Sequence, residues 1–336
     1  LETDPITCAR VIEELAAIDG AAAWALQAGN SADWWCSRLP DDGAEELYAG
    51  NVNAIIAAAF HPPMQAAPEA GGYRVRGRSP LASNIHDADW LFGTALVMDG
   101  DQPKMTDGAP EVIGVVCRAG EAEIIDTWYS LGMRATDSND VALHDVFVPA
   151  SRSFPLVPEF EPGLHYQGPL YRLSGMGQAG LLLAPVMLGI ARGAIADFRE
   201  LAQQKTPFGA TVVLGARSVV QARLARAEAI LRSARLLFYD TLGQEWERAC
   251  AGVPHSLEQK ADSLLAAAHA VNSAVEAVDL VYSLAGTSAI YARCPLERRF
   301  RDVQTLKHHG FGSESRYETA GQVYLGVPPE FAMVAF

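Results

Sequence analysis

The side chains that could support catalysis are spread along this chain rather than gathered in one motif. His309 is one candidate, because an imidazole can hold or move a proton near neutral pH. The same residue also fits an exposed loop, since His308 precedes it and Gly310 and Gly312 follow. The other histidines show no metal-site spacing, and we interpret them as structural or exposed: His61, His86, His144, His165, His255 and His269.

The five cysteines predict neither a metal site nor a disulfide framework. They are odd in number, far apart and without a CxxC pair, so we expect reduced, mostly buried thiols in a cytoplasmic protein. The sequence also lacks GxGxxG after a strand, GxxxxGK[ST], HExxH and GxSxG, and its carboxylates show no paired arrangement. If the protein is an enzyme, we therefore expect its reactivity to come from a cofactor.

Charge and composition exclude several classes of protein. The chain has 336 residues, a formal net charge of −14, 49% hydrophobic and 20% charged residues, which is typical of a globular protein of about two domains. The acidic balance argues against nucleic acid and anionic membranes as main partners. No apolar run reaches the ~18 residues of a membrane span, and no secretion signal is visible after Leu1.

The hydrophobic pattern predicts helices, then strands, then helices again. Residues 5–50 carry apolar side chains at helical spacing. Residues 52–60 predict a strand that ends at His61-Pro62-Pro63. Six short strands in all favour an antiparallel β unit, a small barrel or a sandwich, which Pro149 closes. The other five strand patterns lie at 73–77, 90–98, 111–117, 121–128 and 141–148.

The C-terminal part of the chain is predicted to be a helical bundle. Residues 151–175 are rich in proline and aromatic residues and predict an ordered connector. Long amphipathic patterns predict helices at 183–203, 218–247, 257–285 and about 296–326, the last with a break near 310–312. We therefore divide the chain into an N-terminal helical segment (1–50), a central β domain (51–150) and a C-terminal helical bundle (151–336).

Three ordered groups of residues resemble the acyl-CoA dehydrogenase superfamily. Residues 71–78 (GGYRVRGR), followed by LASN and ADW, are similar to its GGYxVxGxxxFxSG…ADW β segment. Residues 127–138 (TWYSLGMRATDS), followed by DVFVP at 145–149, resemble its TWxxxGMRxTxS segment and its strand exit. Residues 286–287 (GT) and 295–302 (PLERRFRD) resemble the GG…PLxRxxRD approach to the active site. The order of the three motifs on a helix–β–helix layout supports the resemblance over most of the chain.

The resemblance implies an α+β fold of the acyl-CoA dehydrogenase type. Such a fold has N-terminal helices, which look truncated in this chain, a central antiparallel β domain and a C-terminal four-helix bundle. It also implies a flavin, FMN or FAD, held between the β domain and the bundle, and usually a homotetramer.

The residues around position 309 favour one branch of this superfamily. Dehydrogenases with a YEGT motif carry the basic glutamate eight residues after the aspartate of RD, but here that position is Gly310, and Glu318 lies too far along. The TEPxxGSD signature is also absent. Arg301-Asp302 followed by His309 instead resembles the RDxxxxxxH of the flavin-dependent monooxygenases. These hydroxylate phenols or oxidise sulfur and nitrogen heteroatoms, using O2 and reduced flavin from a separate reductase.

We therefore expect a flavin-dependent monooxygenase that acts on an aromatic or heteroatom-containing small molecule. FAD-dependent α,β-dehydrogenation of an acyl-CoA is one alternative, and a non-catalytic flavin-binding homologue is another. His309 and Ser83 are the predicted catalytic residues. Ser83 stands at the family's SG serine, which implies a hydrogen bond to flavin N5 or to the substrate, although Asn84 replaces the glycine.

The resemblance implies cofactor contacts for six further residues. Trp128 would line the isoalloxazine pocket and Thr136 would meet flavin or substrate, although a core tryptophan and a turn-forming threonine fit equally. Lys205 and Phe208 lie in a loop similar to RxxFG, which reaches a neighbouring subunit's flavin. For this loop an ordinary surface loop is the alternative. The Gly286-Thr287 loop is similar to another segment that approaches a neighbour's flavin. We expect Arg301 and Asp302 to form an ion pair that positions their helix.

Overall fold

A computed structural model describes residues 3–336, and the chain divides into two compact units, which we treat one at a time. The helical unit comprises the residues up to Trp24, Ser130–Ala135 and Arg172–Phe336. The β unit comprises Ala25–Tyr129 and Thr136–Tyr171. The predicted domain boundaries near residues 50 and 150 stay a prediction.

The helices begin and end close to where the apolar periodicity places them. The residue range 257–285 predicted for one helix is the observed one, and its N-terminus has a capping box in which Ser256 and Gln259 bond each other's backbone N–H. The helices of the described residues are α1 (Pro5–Ile18), α2 (Gly20–Cys36), α3 (Asp41–Tyr48), α4 (Gly175–Gln204), α5 (Ser218–Ala251), α6 (Leu257–Ala285), α7 (Pro295–Leu306) and α8 (Ser315–Tyr324).

The break predicted near 310–312 in the helical stretch at about 296–326 is confirmed: α7 and α8 are separated by a turn that carries His309. Gly312 makes that turn fit against the bundle: a Cβ there would lie 2.8 Å from Leu183 Cδ2 and 2.9 Å from Val271 Cγ2. Glycine at this position therefore lets the turn pack closely against Leu183 and Val271.

The core of the helical unit forms around α4, which packs against α1, α5, α6 and α7. Helix α1 is joined to α5 by a buried carboxylate, Glu13, whose residue is only 1% exposed. Arg235 donates to both oxygens of Glu13 at 2.9 and 3.0 Å, and Tyr239 donates at 2.7 Å. Because a buried carboxylate is costly without partners, these bonds define where α1 docks.

The β unit contains a large twisted sheet and a small hairpin. The main sheet has the order β10-β7-β3-β1-β2-β9-β8, with β4 paired to β3, and β5 pairs with β6. Its core consists of small and branched side chains, among them Ala66, Val75 and Val141. The strands of the described residues are β1 (Ile56–Glu69), β2 (Gly72–Ala82), β3 (Trp90–Asp99), β4 (Gln102–Pro103), β5 (Met105–Thr106), β6 (Ala109–Pro110), β7 (Val112–Arg118), β8 (Glu123–Ile125), β9 (Asn139–Pro149) and β10 (Ser153–Pro155).

The structure corrects three expectations about this sheet. It is mostly antiparallel, but β1 and β3 pair in parallel. Strand β1 does not end at His61-Pro62-Pro63; it continues to Glu69, and its register against β3 shifts between Ala59 and Met64. Prolines are tolerated there because this irregular stretch needs no ladder N–H. Pro149 does not close the sheet either, since β10 adds an edge strand beside β7.

Two helices correct the expectation that no apolar stretch is long enough for a membrane span. Gly175–Gln204 and Leu257–Ile290 contain 18-residue windows with mean hydropathy of 1.8 and 1.4. However, 83% and 61% of those windows are buried inside the protein, as in core helices of a bundle. Length and composition are therefore weak evidence for a span here.

Candidate functional site

Three buried hydroxyls in the β unit form a continuous chain of hydrogen bonds, which we call the hydroxyl cluster. The Oγ atoms of Ser83 and Ser138 are 2.8 Å apart, and Ser138 Oγ is 2.6 Å from Thr136 Oγ1. The three residues are 8%, 3% and 1% exposed. The structure thus brings together Ser83 and Thr136, which lie 53 positions apart in the sequence, through Ser138.

Backbone conformations that few residues adopt hold this cluster in place. Asn84 has φ 63° and Asp137 has φ 51°, both in the left-handed region that asparagine and aspartate tolerate best after glycine. The Asn84 N–H donates to the Thr136 carbonyl at 3.0 Å. Asn84 thus adopts a left-handed conformation that glycine also takes readily.

Asn139, at the start of β9, connects the hydroxyl cluster to Trp128. Its Oδ1 accepts hydrogen bonds from the backbone N–H groups of Thr127 and Trp128, both at 3.0 Å. Its Nδ2 donates to Asp137 Oδ1 at 2.7 Å, and the residue is 4% exposed. The indole of Trp128 is half-buried.

In the helical unit, the loop Ser130–Ala135 is fastened to α7 by hydrogen bonds. The Met133 N–H donates to Asp302 Oδ1 at 2.6 Å, and the Gly132 N–H donates to Thr305 Oγ1 at 2.8 Å. Burial raises the pKa of the Asp302 carboxyl, which Arg301 opposes. The expected ion pair of Arg301 with Asp302 is wrong: the partner of Arg301 is Glu297, one helical turn earlier, at 2.6 Å.

His309 lies among aromatic rings in the turn between α7 and α8. The ring of Trp24 meets it edge-on at a centroid distance of 5.5 Å, and Phe311 lies at 5.6 Å. Burial lowers the pKa of His309 to about 4, so its imidazole is neutral at physiological pH. The Phe311 N–H donates to Nδ1 at 3.4 Å, which places the ring proton on Nε2. His309 is therefore a hydrogen-bond donor at Nε2, whereas His308 is exposed.

The lowered pKa of His309 has a consequence for acid stability. The pKa of a histidine in the unfolded chain is near 6.5. Between pH 6.5 and about 4, the unfolded state therefore binds a proton at His309 that the folded state does not bind. This costs the folded protein up to about 3 kcal/mol as the pH falls, and nothing above pH 7. Urea unfolding at pH 7, 5 and 4 should show a smaller loss for His309→Asn than for the parent protein. His308→Asn serves as the control and should behave like the parent; equal losses in all three would contradict the burial of His309.

Lys205, Gly286 and Thr287 meet at one end of the helical unit. Lys205 Nζ donates to the Ala285 carbonyl at 2.7 Å, directly before Gly286. Gly286 has φ 56° and ψ −141°, a conformation reserved for glycine. Thr287 lines an adjacent open cavity of about 410 Å³, whose other walls include Asp197, Glu200, Tyr291 and Arg293. Phe208 is fully exposed.

The fold of this chain is known from solved structures. The 3-HSA hydroxylase from Rhodococcus sp. RHA1 superimposes with a TM-score of 0.89 at 22% identity, covering 98% of this chain and 85% of that one. XiaF from Streptomyces sp., in complex with FADH2 and glycerol, gives a TM-score of 0.89 at 23% identity, covering 98% and 83%. Residues 181–314 match the family model of the acyl-CoA dehydrogenase C-terminal domain.

The sequence has a relative close enough to decide the family. It is 30% identical over 329 residues to the indole-3-acetate monooxygenase of Pseudomonas putida, covering 98% of this chain and 82% of the relative. The chain belongs to the flavin-dependent monooxygenases of the acyl-CoA dehydrogenase superfamily. The predicted α+β fold, the flavin cofactor and the oxidoreductase class are confirmed for this monooxygenase.

The side chains of the monooxygenase suit a flavin in their chemistry. The buried hydroxyl cluster offers directed hydrogen bonds, Trp128 offers an aromatic face, and Lys205 offers a positive charge for a phosphate. The individual assignments of His309, Ser83, Trp128, Thr136, Lys205, Phe208, Gly286 and Thr287 stay predictions.

The sequence does not identify three residues that fix backbone segments near the predicted site residues: Asn139 at Trp128, Asp302 at Met133 and Thr305 at Gly132. Each accepts a hydrogen bond from a backbone N–H that is distant in the sequence. A polar residue at a strand or turn boundary, as Asn139 is, was the one available signal. Within residues 3–336, no group of three His, Cys, Asp or Glu side chains is arranged to hold a metal ion.

Proposed function

We propose that this monooxygenase inserts one oxygen atom of O2 into a small, planar aromatic molecule, with an indole-type ring as the first candidate. The observation that carries the proposal is the neutral His309 with its Nε2–H, set among the rings of Trp24 and Phe311. The name of the Pseudomonas putida relative, indole-3-acetate monooxygenase, supports this substrate class.

The chain's own residues would orient the reactants and control protons. Bound reduced flavin supplies the two electrons that activate O2. His309 donates from Nε2 to an oxygen of the reacting groups, and its low pKa keeps it neutral through the physiological range. Ser83 donates a second hydrogen bond, with its hydroxyl oriented by Ser138 and Thr136. Burial of these hydroxyls excludes water that would otherwise compete for the same hydrogen bonds.

We also propose the assembly and location that the superfamily resemblance implies. The protein would be a cytoplasmic homotetramer without membrane contact, served by a separate flavin reductase. Exposed apolar side chains on α5, at Val219, Leu236 and Leu237, support association with further copies of the chain. Light scattering coupled to gel filtration tests the tetramer, for which a mass of about four times 36.0 kDa is expected.

The reaction is tested with oxygen isotopes. Purified protein is mixed anaerobically with reduced FMN or reduced FAD and indole-3-acetate, and 18O2 is then admitted. We expect a substrate-derived product that is heavier by one 18O atom and forms only with a reduced flavin. Phenol and an indole without the acetate group, run in parallel, separate ring preference from carboxylate preference. Bleaching of bound oxidised flavin by an acyl-CoA, with no 18O product from any aromatic compound, would contradict the proposal.

A further inference from the structure

We propose that Asn139 is a positioning residue that sets Trp128 and the hydroxyl cluster in register with each other. The inference rests on the proposed flavin roles of Ser83 and Trp128. It adds a residue that touches neither flavin nor substrate and acts through both segments at once.

The first line of support is the three hydrogen bonds that the Asn139 side chain makes. Its Oδ1 accepts two backbone N–H groups, from Thr127 and Trp128, and its Nδ2 donates to Asp137 Oδ1. All three contacts are 2.7–3.0 Å long, and the residue is 4% exposed. A buried amide bonded in this way holds both of its partners in one geometry.

The second line of support is that the two segments bonded by Asn139 each carry predicted site residues. Asp137 separates Thr136 from Ser138, so its position sets both of those hydroxyls, and through them the hydroxyl of Ser83. On the other side, Asn139 Oδ1 fixes the backbone at Thr127 and Trp128, two and three residues after the end of β8. One side chain thus couples Trp128 to the hydroxyls of Thr136 and Ser138, which lie eight and ten positions later in the sequence. Through Ser138 it is also coupled to Ser83.

The chemistry of the amide explains why neither alanine nor an ionised aspartate can replace it. Alanine removes the acceptor of two backbone N–H groups and one of the two partners of Asp137 Oδ1, whose other partner is His86. An ionised aspartate still accepts from Thr127 and Trp128 but repels Asp137, whereas a protonated aspartate restores the lost donor. The other ionisable side chains facing this turn are His86, whose Nδ1 lies 2.7 Å from Asp137 Oδ1, and Asp140, which pairs with Arg78 at 2.6 Å.

The test uses pH to change the protonation state of an aspartate introduced at position 139. Asn139→Asp and Asn139→Ala are compared with the parent protein at pH 8 and pH 5.5. The readouts are the Kd for reduced flavin, the ratio of oxygenated product to hydrogen peroxide, and the melting temperature. Asn53→Asp, the same change at an exposed position, is the matched control.

We expect Asn139→Ala to weaken flavin binding about 10-fold or more at both pH values and to shift turnover towards peroxide. Asn139→Asp should be equally impaired at pH 8 but return to within about 3-fold of the parent at pH 5.5. Asn53→Asp should match the parent throughout. Aspartate that behaves like alanine at both pH values overturns the inference, as does a loss of melting temperature without any change in Kd or product ratio.

Ser83→Ala separates this inference from the proposed function. If Ser83→Ala impairs flavin binding or product yield while both Asn139 variants match the parent, positioning by Asn139 is wrong and the flavin role of Ser83 stands. If Ser83→Ala also matches the parent, the flavin role of the hydroxyl cluster is itself wrong, and the inference fails with it.

Discussion

Replacing His309 by alanine is expected to lower the rate of product formation by about 100-fold or more, while reduced flavin is still consumed. The variant loses a neutral Nε2–H donor that Phe311 holds in one tautomer and that Trp24 and Phe311 flank. Without it, oxygen is reduced but not transferred, so hydrogen peroxide should take the place of product. Product and peroxide are measured in the same reaction, together with the rate of flavin oxidation.

His308→Ala is the matched control, because it removes an imidazole at the adjacent exposed position. It should change the product yield by less than about 2-fold, as surface substitutions usually do. Because the pKa of His309 is about 4, His309 does not titrate between pH 6 and 8. We therefore expect the product yield of the parent and of His309→Asn to depend on pH in the same way over this range. Equal losses in the two alanine variants, or full activity in His309→Ala, would rule out the catalytic assignment.

Replacing Gly132 by alanine is the change with the largest expected effect on the fold around the active-site motifs. The new Cβ would lie 2.2 Å from the Arg301 carbonyl oxygen and 2.6 Å from the Asp302 nitrogen. Both are backbone atoms of α7, which cannot rotate away as a side chain can. The loop Ser130–Ala135 must therefore lift from α7 and lose the bonds of Gly132 to Thr305 and of Met133 to Asp302. We expect a loss of about 3 kcal/mol in the free energy of unfolding.

Urea unfolding measures the stability of this variant, and flavin oxidation with product analysis measures its activity at a temperature where it remains folded. Gly120→Ala is the control, since Gly120 has no atom within 4 Å of where a Cβ would be and lacks a positive φ. It should lie within about 0.5 kcal/mol of the parent. A Gly132→Ala protein as stable as Gly120→Ala would show that the loop does not rest on α7 as the structure describes.

The elements of this protein were largely readable from the sequence, and the exceptions have physical causes. Helix α6 matches its predicted residues because a long amphipathic stripe and a capping box both specify it. Strand β1 was predicted to stop at two prolines, but it continues beyond them because its pairing is interrupted where they stand. The parallel pairing of β1 with β3 could not be read from either strand, since periodicity reports which face is buried and not which neighbour is bonded.

The superfamily, the flavin and the monooxygenase branch followed from the sequence alone. They depend on short motifs in a fixed order, which can be recognised from residue types without a structure. Only the tertiary structure decided what surrounds those residues. Three contacts show this: the hydroxyl cluster, the hydrogen bond from Met133 to Asp302, and the ion pair of Arg301 with Glu297. In each, tertiary packing and not the number of residues between the groups decides which groups meet. The protonation state of His309 was likewise decided by the tertiary structure. The ordinary pKa of a histidine is near 6.5, and it falls to about 4 here because folding places the imidazole among aromatic rings and away from water.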